Sequence, residues 1–487
     1  QGVAPTNQYR QPQGIAPTNQ YRQPQGIAST IYRQPQGVAP TFNPFAVNTA
    51  HLTLEQTPPL SVPLRFFLTA PLFGLLAAGL LFYDGPLLLT NRWDSHTLAL
   101  THLFTLGFIT MVMFGAMLQL MPVLAATPVP HPIWVGTVLH ILLTLGTLSL
   151  AGGLISGSAF LMQSAIILLG FSFIGFIGVI GYCLVRVKGR SAIITGMRLA
   201  LSALVVTAIL GVGLAMLFGY GMALPMPTVL TDIHLTWGGI GWIGLLVMGI
   251  AYQVVPMFQI TPHYPPSVTR RLIPLIFVSL LLWTAFDILA VLDQVPSFVP
   301  LLFSGLIGVG VSLFALATIR LQILRLRKLP DVTLNYWRVG MIGLLLSVVL
   351  WFSGVLWPEL ATQPFYPILL GVLFFVGFVS SVIQGMLYKI VPFLVWLNLQ
   401  NQQLNILTVV NVKRIPNMKQ IISDRQARRQ FWVYLMALGL TIAAVLWPSG
   451  LSQAASILFM ISFLILSYNL YSALWLYRKI SRQITEQ

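Results

Sequence analysis

Charged residues are scarce in this sequence, and cysteine is nearly absent. Of 487 residues, only 7% are charged whereas 56% are hydrophobic, and the mean hydropathy is +0.84. A soluble domain of this length needs more polar surface, so the composition excludes a soluble protein and predicts an integral membrane protein. The single cysteine, Cys183, excludes an intrachain disulfide framework, a thiolate metal cluster and covalent haem attachment through a Cys-x-x-Cys-His motif.

Acidic residues are the scarcer charged class, and the positions of the basic residues indicate an orientation. The chain has 26 Lys and Arg against 10 Asp and Glu, which gives a formal net charge of +16. Most of the basic residues lie in short loops between apolar runs, and no recognition motif accompanies them, so we expect no nucleic-acid partner. Loops on one predicted face hold nearly all of them, whereas the other face holds only Arg92. This asymmetry predicts that both termini are cytoplasmic, in an inner or equivalent energy-transducing membrane.

Apolar runs of the length that a bilayer demands occur twelve times in the sequence. Together they predict an all-α, polytopic membrane protein whose first partner is the lipid bilayer. The predicted spans, numbered 1 to 12, are 62–83, 96–124, 132–155, 159–186, 196–220, 231–258, 272–293, 297–323, 336–357, 365–397, 431–448 and 452–477.

A short motif closes spans 2, 6 and 10. It reads GAMLQLMP at 115–122, GIAYQVVP at 249–256 and GMLYKIVP at 385–392. Its prolines are 134 and 136 residues apart, an interval that suits a repeated unit of several transmembrane helices. We therefore predict three four-helix modules with pseudo-threefold symmetry, at residues 60–190, 191–330 and 331–482.

Residues 1–45 form a low-complexity segment of Gln, Pro, Thr and Asn that cannot bury a core. The segment contains the units QGVAPTNQYRQP, QGIAPTNQYRQP and QGIASTIYRQP, followed by part of a fourth. One hypothesis is a solvated linker, and another is a multivalent arm that docks on a cytoplasmic partner or a neighbouring subunit. The second hypothesis predicts six partner-binding residues: Tyr9, Arg10, Tyr21, Arg22, Tyr32 and Arg33.

Ionisable residues inside the spans are candidates for function, because burying them in hydrocarbon is costly. His102 in span 2, His234 in span 6 and Asp287 in span 7 all fall in the predicted outer third of the membrane. Imidazole is a common ligand of haem iron, and a carboxylate orients such a ligand through its other ring nitrogen. These residues could therefore hold a haem, with Asp287 or Asp232 as the orienting group. The alternative is that they only form hydrogen bonds between helices, the role we expect for His140.

The motif also places a polar residue three positions before each proline, at Gln119, Gln253 and Lys389. A structural role is sufficient to explain them, because an amide or ammonium group can satisfy carbonyls freed near a helix end. The alternative is a path for protons or ions at the inner face.

Two segments resemble a known family. THLFTLGFITMVMFGAMLQLMPVL, at 101–124, is similar to the second helix of the catalytic subunit of haem-copper oxidases and nitric oxide reductases, where a histidine ligates the low-spin haem. IHLTWGGIGWIGLLVMGIAYQVVPMF, at 233–258, carries a histidine at the position of the sixth-helix copper ligand. The resemblance implies a twelve-helix scaffold and makes His102 and His234 the metal-ligand positions.

The sequence also departs from that family. Span 10 lacks the expected histidine pair, the region after span 6 offers only Asp287, and no tyrosine follows His234 within four residues. Copper and the reduction of oxygen or nitric oxide are therefore not expected, and no complete haem-copper active site is present. One functional hypothesis is a protein that binds haem b for electron transfer or gas sensing. The other is a cofactor-free accessory subunit of a larger membrane complex. Transport is less supported, because charged residues line no span in series.

Overall fold

The computed structural model describes residue 2 and residues 57–189, 191–326, 331–405 and 415–485. Within these ranges the secondary structure is helical and contains no strand. The predicted all-α fold is therefore confirmed. The six tyrosine and arginine residues proposed for partner binding, from Tyr9 to Arg33, lie outside the described residues.

Twelve of the described helices are long and apolar enough to cross a membrane, as the sequence predicts. The protein is thus an integral membrane protein, while its membrane and the side of each terminus stay predictions. The helices are α1 Ser61–Leu89, α2 Ser95–Ala125, α3 Pro132–Ser156, α4 Ala159–Arg186, α5 Ala192–Tyr220, α6 Pro227–Gln259, α7 Pro266–Val291, α8 Phe298–Ile323, α9 Val332–Leu356, α10 Phe365–Gln403, α11 Asp424–Leu446 and α12 Pro448–Ile484.

Several membrane helices begin at a side-chain cap that satisfies a free backbone N–H group. The Ser158 hydroxyl accepts from Leu161 N at the start of α4, and the Asp331 carboxylate accepts from Thr333 N at the start of α9. Ser423 and Gln426 form a reciprocal capping box at the start of α11. The length of each apolar run thus predicts a membrane helix, and the short polar side chain before it marks the residue at which the helix begins.

Two of the helices that carry the repeated motif are the most buried of the twelve membrane helices described. The most apolar window of α2 is 83% buried and that of α6 is 72% buried, whereas that of α5 is only 17% buried. The third motif helix, α10, is 56% buried, and residues of α2, α6 and α10 line one apolar cavity of about 120 Å3. These three helices therefore meet one another inside the bundle.

The motif helices share an uncommon local structure. Each contains a π-helical segment, at Leu103–Thr110 in α2, Trp237–Gly244 in α6 and Val372–Ser380 in α10. π-Helical turns are rare and are frequent at functional sites. The three segments begin 134 and 135 residues apart, close to the interval of the motif. This recurrence supports a threefold repeat, although the grouping of all twelve helices into modules stays a prediction.

The motif glycine is the point where each inner helix contacts the membrane helix before it in the chain. A Cβ atom added to any of the three glycines would lie within 3.2 Å of an atom on that helix, closer than side chains normally pack. The pairs are Gly115 with Phe66 Cβ at 2.8 Å, Gly249 with Gly196 Cα at 3.2 Å, and Gly385 with Tyr336 Cβ at 2.7 Å. The repeated glycine therefore permits close approach of helices.

Candidate cofactor site

The structure brings His102 and His234 together. His102 is the eighth residue of α2, and His234 is the eighth residue of α6. The centres of their imidazole rings are 6.4 Å apart, and the ring planes are inclined by 24°. Two histidines from different predicted modules therefore face one another at the same depth along their helices.

Both imidazoles use the same ring nitrogen to contact the backbone. His102 Nδ1 is 2.8 Å from the carbonyl oxygen of Leu98, and His234 Nδ1 is 3.0 Å from that of Thr207. A carbonyl oxygen only accepts, so each Nδ1 carries the proton and each Nε2 keeps its lone pair. Neither Nε2 atom has a hydrogen-bond partner among the residues that the structure describes. Two nitrogen donors are thus available for a ligand.

Helix α5 holds His234 in place from one side. Gly211 lies against the ring, because a Cβ atom at this position would be 2.9 Å from His234 Cε1. Gly238 likewise brings α6 close to Thr207, since a Cβ atom added to this glycine would be 3.2 Å from Thr207 Cγ2. These two glycines let α5 approach α6 closely enough for the Thr207 carbonyl to reach the imidazole.

The two imidazoles have backbone carbonyls at Nδ1, where the sequence led us to expect a carboxylate. Asp232 forms an ion pair with Arg92 at 2.7 Å, and the Nδ1 atom of His234 is occupied by the Thr207 carbonyl. Within the described ranges, Asp287 forms no hydrogen bond or ion pair, although its carboxylate interacts electrostatically with Asp232. The physical reason is that α5, rather than α7, supplies the atom next to the ring. A contact between Asp287 and a cofactor stays a prediction.

Two ion pairs lie near the start of α2, and sequence analysis did not pair their members. Arg92 reaches from the loop before α2 to Asp232 on α6, two residues before His234. His96 Nδ1 lies 2.7 Å from the Asp84 carboxylate. The Arg92–Asp232 pair links the two helices that carry the histidines. The sequence did contain a signal for the Arg92 pair. Charged residues are scarce on this predicted face, so few acidic residues could pair with Arg92.

The third motif helix contributes no ligand at this depth. The eighth residue of α10 is Val372. The side chains of Phe374 and Phe375 instead lie against Gly239 of α6, where an added Cβ atom would be 3.4 and 3.6 Å from the two rings. Helix α10 therefore contributes aromatic packing beside α6, where a third histidine would be needed for a larger metal centre.

The donor set fits a haem better than a bare metal ion. In the described part of the chain, no group of three or more His, Cys, Asp or Glu side chains could hold a metal. Zinc normally takes three or four protein ligands, whereas a haem needs at most two because the porphyrin supplies the rest. The two imidazoles, with ring centres 6.4 Å apart, offer two nitrogen ligands of the kind that a haem takes.

A different polar cluster fills the region between α9, α10, α11 and α12. Gln430 is at its centre: its amide nitrogen donates to Gln384 Oε1 at 2.6 Å and to Ser462 Oγ at 2.8 Å, and its Oε1 accepts from the Tyr336 hydroxyl. Gln384 in turn donates to Ser380 Oγ at 2.8 Å. We call Tyr336, Ser380, Gln384, Gln430 and Ser462 the glutamine network; all five are at most 1% exposed.

Sequence analysis did not find the glutamine network. Each of its residues is separately ordinary in a membrane span, and only the fold places them together. Uncharged glutamines in the apolar runs of α10 and α11 were the one available signal, because an amide in hydrocarbon needs partners.

Of the three polar motif residues, Lys389 has a clear side-chain partner. Lys389 Nζ forms an ion pair with the Asp331 carboxylate at 2.8 Å, rather than with helix carbonyls. Gln119 and Gln253 lie beside the apolar cavity between α2, α6 and α10. His140 Nε2 lies 2.9 Å from Thr69 Oγ1 on α1, which confirms its expected role between helices.

No protein-family model matches the chain, and a search of curated proteins finds no match. The resemblance to haem-copper oxidases therefore rests on the two segments around His102 and His234 alone, and it stays a hypothesis.

Proposed function

We propose that this protein binds one haem b at α2 and α6, where His102 and His234 would hold the iron, and that it transfers electrons in the membrane. The observation that carries the proposal is the pair of Nε2 atoms without partners among the described residues, on imidazoles whose ring centres are 6.4 Å apart. Ionisable side chains within membrane spans usually mark a functional site, so two open imidazole nitrogens on rings this close together favour a shared ligand.

Electron transfer is favoured over gas sensing by the number of ligands. If His102 and His234 both held the haem iron, no position would remain open for a diatomic gas, whereas the iron could still change oxidation state. When bound, the haem would supply this one-electron chemistry. Reduction of oxygen or nitric oxide is not proposed, because α10 offers Val372 instead of a ligand and copper has no histidine cluster among the described residues.

The protein's own groups set the properties of the proposed ligands. The carbonyls of Leu98 and Thr207 accept from the Nδ1–H groups, which fixes the tautomer and orientation of each ring and increases the basicity of Nε2. Both histidines are half-buried near the starts of α2 and α6, and the exposure of the site would help to set the redox potential. The resemblance to the low-spin haem ligand in oxidases supports the role of His102.

The test is a visible absorption spectrum of the purified full-length protein with metal analysis. We expect a Soret band and a sharp α-band on reduction, one iron per chain, and loss of both bands in His102→Ala and in His234→Ala. His140→Ala is the matched control, because it removes a membrane histidine that already has a protein partner. A colourless, well-folded wild-type protein expressed with ample haem would overturn the proposal. One copper ion per chain in place of iron would also do so.

The second candidate is a cofactor-free accessory subunit of a larger membrane complex. The observation in its favour is the low burial of α5, whose apolar window is only 17% buried, so most of that surface is available to lipid or another subunit. This candidate predicts colourless protein that co-purifies with stable partners. Deletion of residues 1–35 would then test the docking arm, since partner recovery should fall if the repeated Tyr-Arg pairs bind.

A further inference from the structure

A pocket of about 230 Å3 lies where α9 and α11 begin, away from the two histidines. Three arginines line it, each from a different segment: Arg325 follows α8, Arg338 is on α9 and Arg428 is on α11. Arg338 and Arg428 are exposed, so an anion can reach their guanidinium groups. The pocket thus collects positive charge from separate parts of the chain.

The acidic residues of the pocket do not cancel this charge. Asp331 is paired with Lys389 at 2.8 Å, and Asp424 is paired with Lys419 at 2.6 Å. Each of the two carboxylates is therefore already neutralised by a lysine. The lining holds three arginines against two aspartates, 3 − 2 = +1, so its formal charge is positive.

The lining also contains a neutral donor. The Asn335 side chain can donate a hydrogen bond to an anion. The starts of α9 and α11 reach the pocket too, but they are already capped by Asp331 and by Ser423 with Gln426. Arginine charge and an amide donor therefore converge on the same small volume.

We propose that this pocket binds a phosphate group, and that in the membrane this group belongs to the head of an anionic phospholipid. Arginine suits phosphate because its planar fork forms two parallel hydrogen bonds with the oxygens. The pocket is at the ends of membrane helices, the level at which lipid head groups lie. Basic pockets between membrane helices are known to select anionic head groups there. A soluble phosphate compound would present the same chemistry and is distinguished by experiment.

The experiment compares lipid retention by native mass spectrometry of full-length protein from nanodiscs that contain phosphatidylglycerol and phosphatidylcholine. We expect wild-type protein to retain phosphatidylglycerol preferentially, and the double variant Arg338→Gln with Arg428→Gln to retain it roughly tenfold less, since two charge-assisted contacts are lost. The matched control is Arg270→Gln with Arg271→Gln, two exposed arginines at the start of α7 that are not in the pocket lining.

A second measurement separates the two sources of phosphate. Inorganic phosphate is added to protein in neutral detergent, and the midpoint of thermal unfolding is recorded at constant ionic strength. A midpoint that rises for wild type but not for the double variant, with equal lipid retention by both, assigns the pocket to soluble phosphate. Equal retention by all variants without any phosphate response overturns the proposal. An equal loss of lipid from the pocket variant and the control variant overturns it too, because charge alone would then explain binding.

Discussion

The histidine pair and the glutamine network are two ways of placing polar groups inside one helical bundle. His102 and His234 each use one ring nitrogen on a backbone carbonyl and leave the other open within the described part of the chain. Gln430, by contrast, uses its amide nitrogen and its carbonyl oxygen on neighbouring side chains of three other helices. The histidine pair thus has ring nitrogens that can still bind a ligand, whereas the side chains of the glutamine network form hydrogen bonds with one another.

This difference separates a candidate site from a structural element. His102 and His234 are half-buried residues of membrane spans, and an open imidazole nitrogen there is available to a ligand. A closed network instead contributes specificity to helix packing, because each member depends on the positions of the others. We therefore expect substitutions in the histidine pair to affect cofactor content most, and substitutions in the glutamine network to affect stability most.

The largest expected effect is the loss of haem in His234→Ala. We expect complete loss of the Soret band, while the midpoint of thermal unfolding, compared with wild-type apoprotein, shifts by only a few degrees, because the side chain lacks a second partner among the described residues. The measurement is absorbance at the Soret maximum alongside a thermal unfolding curve. Gln430→Leu should retain the band. A variant of His234 that keeps full haem content would contradict the assignment.

Gln430→Leu should produce the largest loss of stability. It leaves the Tyr336 hydroxyl, the Gln384 carbonyl oxygen and the Ser462 hydroxyl without their partner. Unsatisfied buried groups cost about 1–3 kcal/mol each, and contacts inside membranes are weaker, so we expect a decrease of about 2–4 kcal/mol in the free energy of unfolding. Denaturant unfolding in mixed micelles measures it. The control is Gln294→Leu on an exposed loop. An equal decrease in the free energy of unfolding for this control would contradict a special role of the glutamine network in stability.

The helices were predictable because hydrophobic length alone specifies a membrane span. The predicted span 159–186 agrees with α4, and most other limits differ by only a few residues. The meeting of His102 and His234 was also within reach, since both lie at the same distance from the start of a motif helix. The threefold repeat alone was enough to predict that these two histidines lie at the same depth.

The orienting group and the glutamine network could not be predicted in the same way. Every residue has a backbone carbonyl, so residue type does not reveal that the Thr207 carbonyl contacts His234. Sequence analysis therefore favours a side-chain carboxylate, such as that of Asp287. The network joins Tyr336 to Gln430 across 94 residues of sequence. The π-helical segments of α2, α6 and α10 were not predicted from the sequence either.

The motif glycine allows a smaller test of packing near the network. Gly385→Ala places a Cβ atom 2.7 Å from Tyr336 Cβ, so α9 and α10 must separate. Overpacking of this kind costs about 1–3 kcal/mol, and we expect a lower thermal midpoint with unchanged haem content. Gly439→Ala on α11 is the matched control, because its Cβ position has no atom within 4 Å. Should Gly439→Ala destabilise the protein equally, glycine flexibility rather than close approach would explain the motif.

The smallest expected effect belongs to Asp287→Asn. The carboxylate forms no hydrogen bond with either imidazole, whose Nδ1 atoms are occupied by the carbonyls of Leu98 and Thr207. The substitution keeps the shape of the side chain and removes its charge, so we expect unchanged haem content and a shift of the haem midpoint potential of less than about 59 mV, which is a tenfold change for a one-electron couple. Redox titration followed at the α-band measures it. A larger shift, or loss of haem, would show that Asp287 acts on the ligands after all, and the histidine pair would then be a carboxylate-assisted site of the kind that the sequence first indicated.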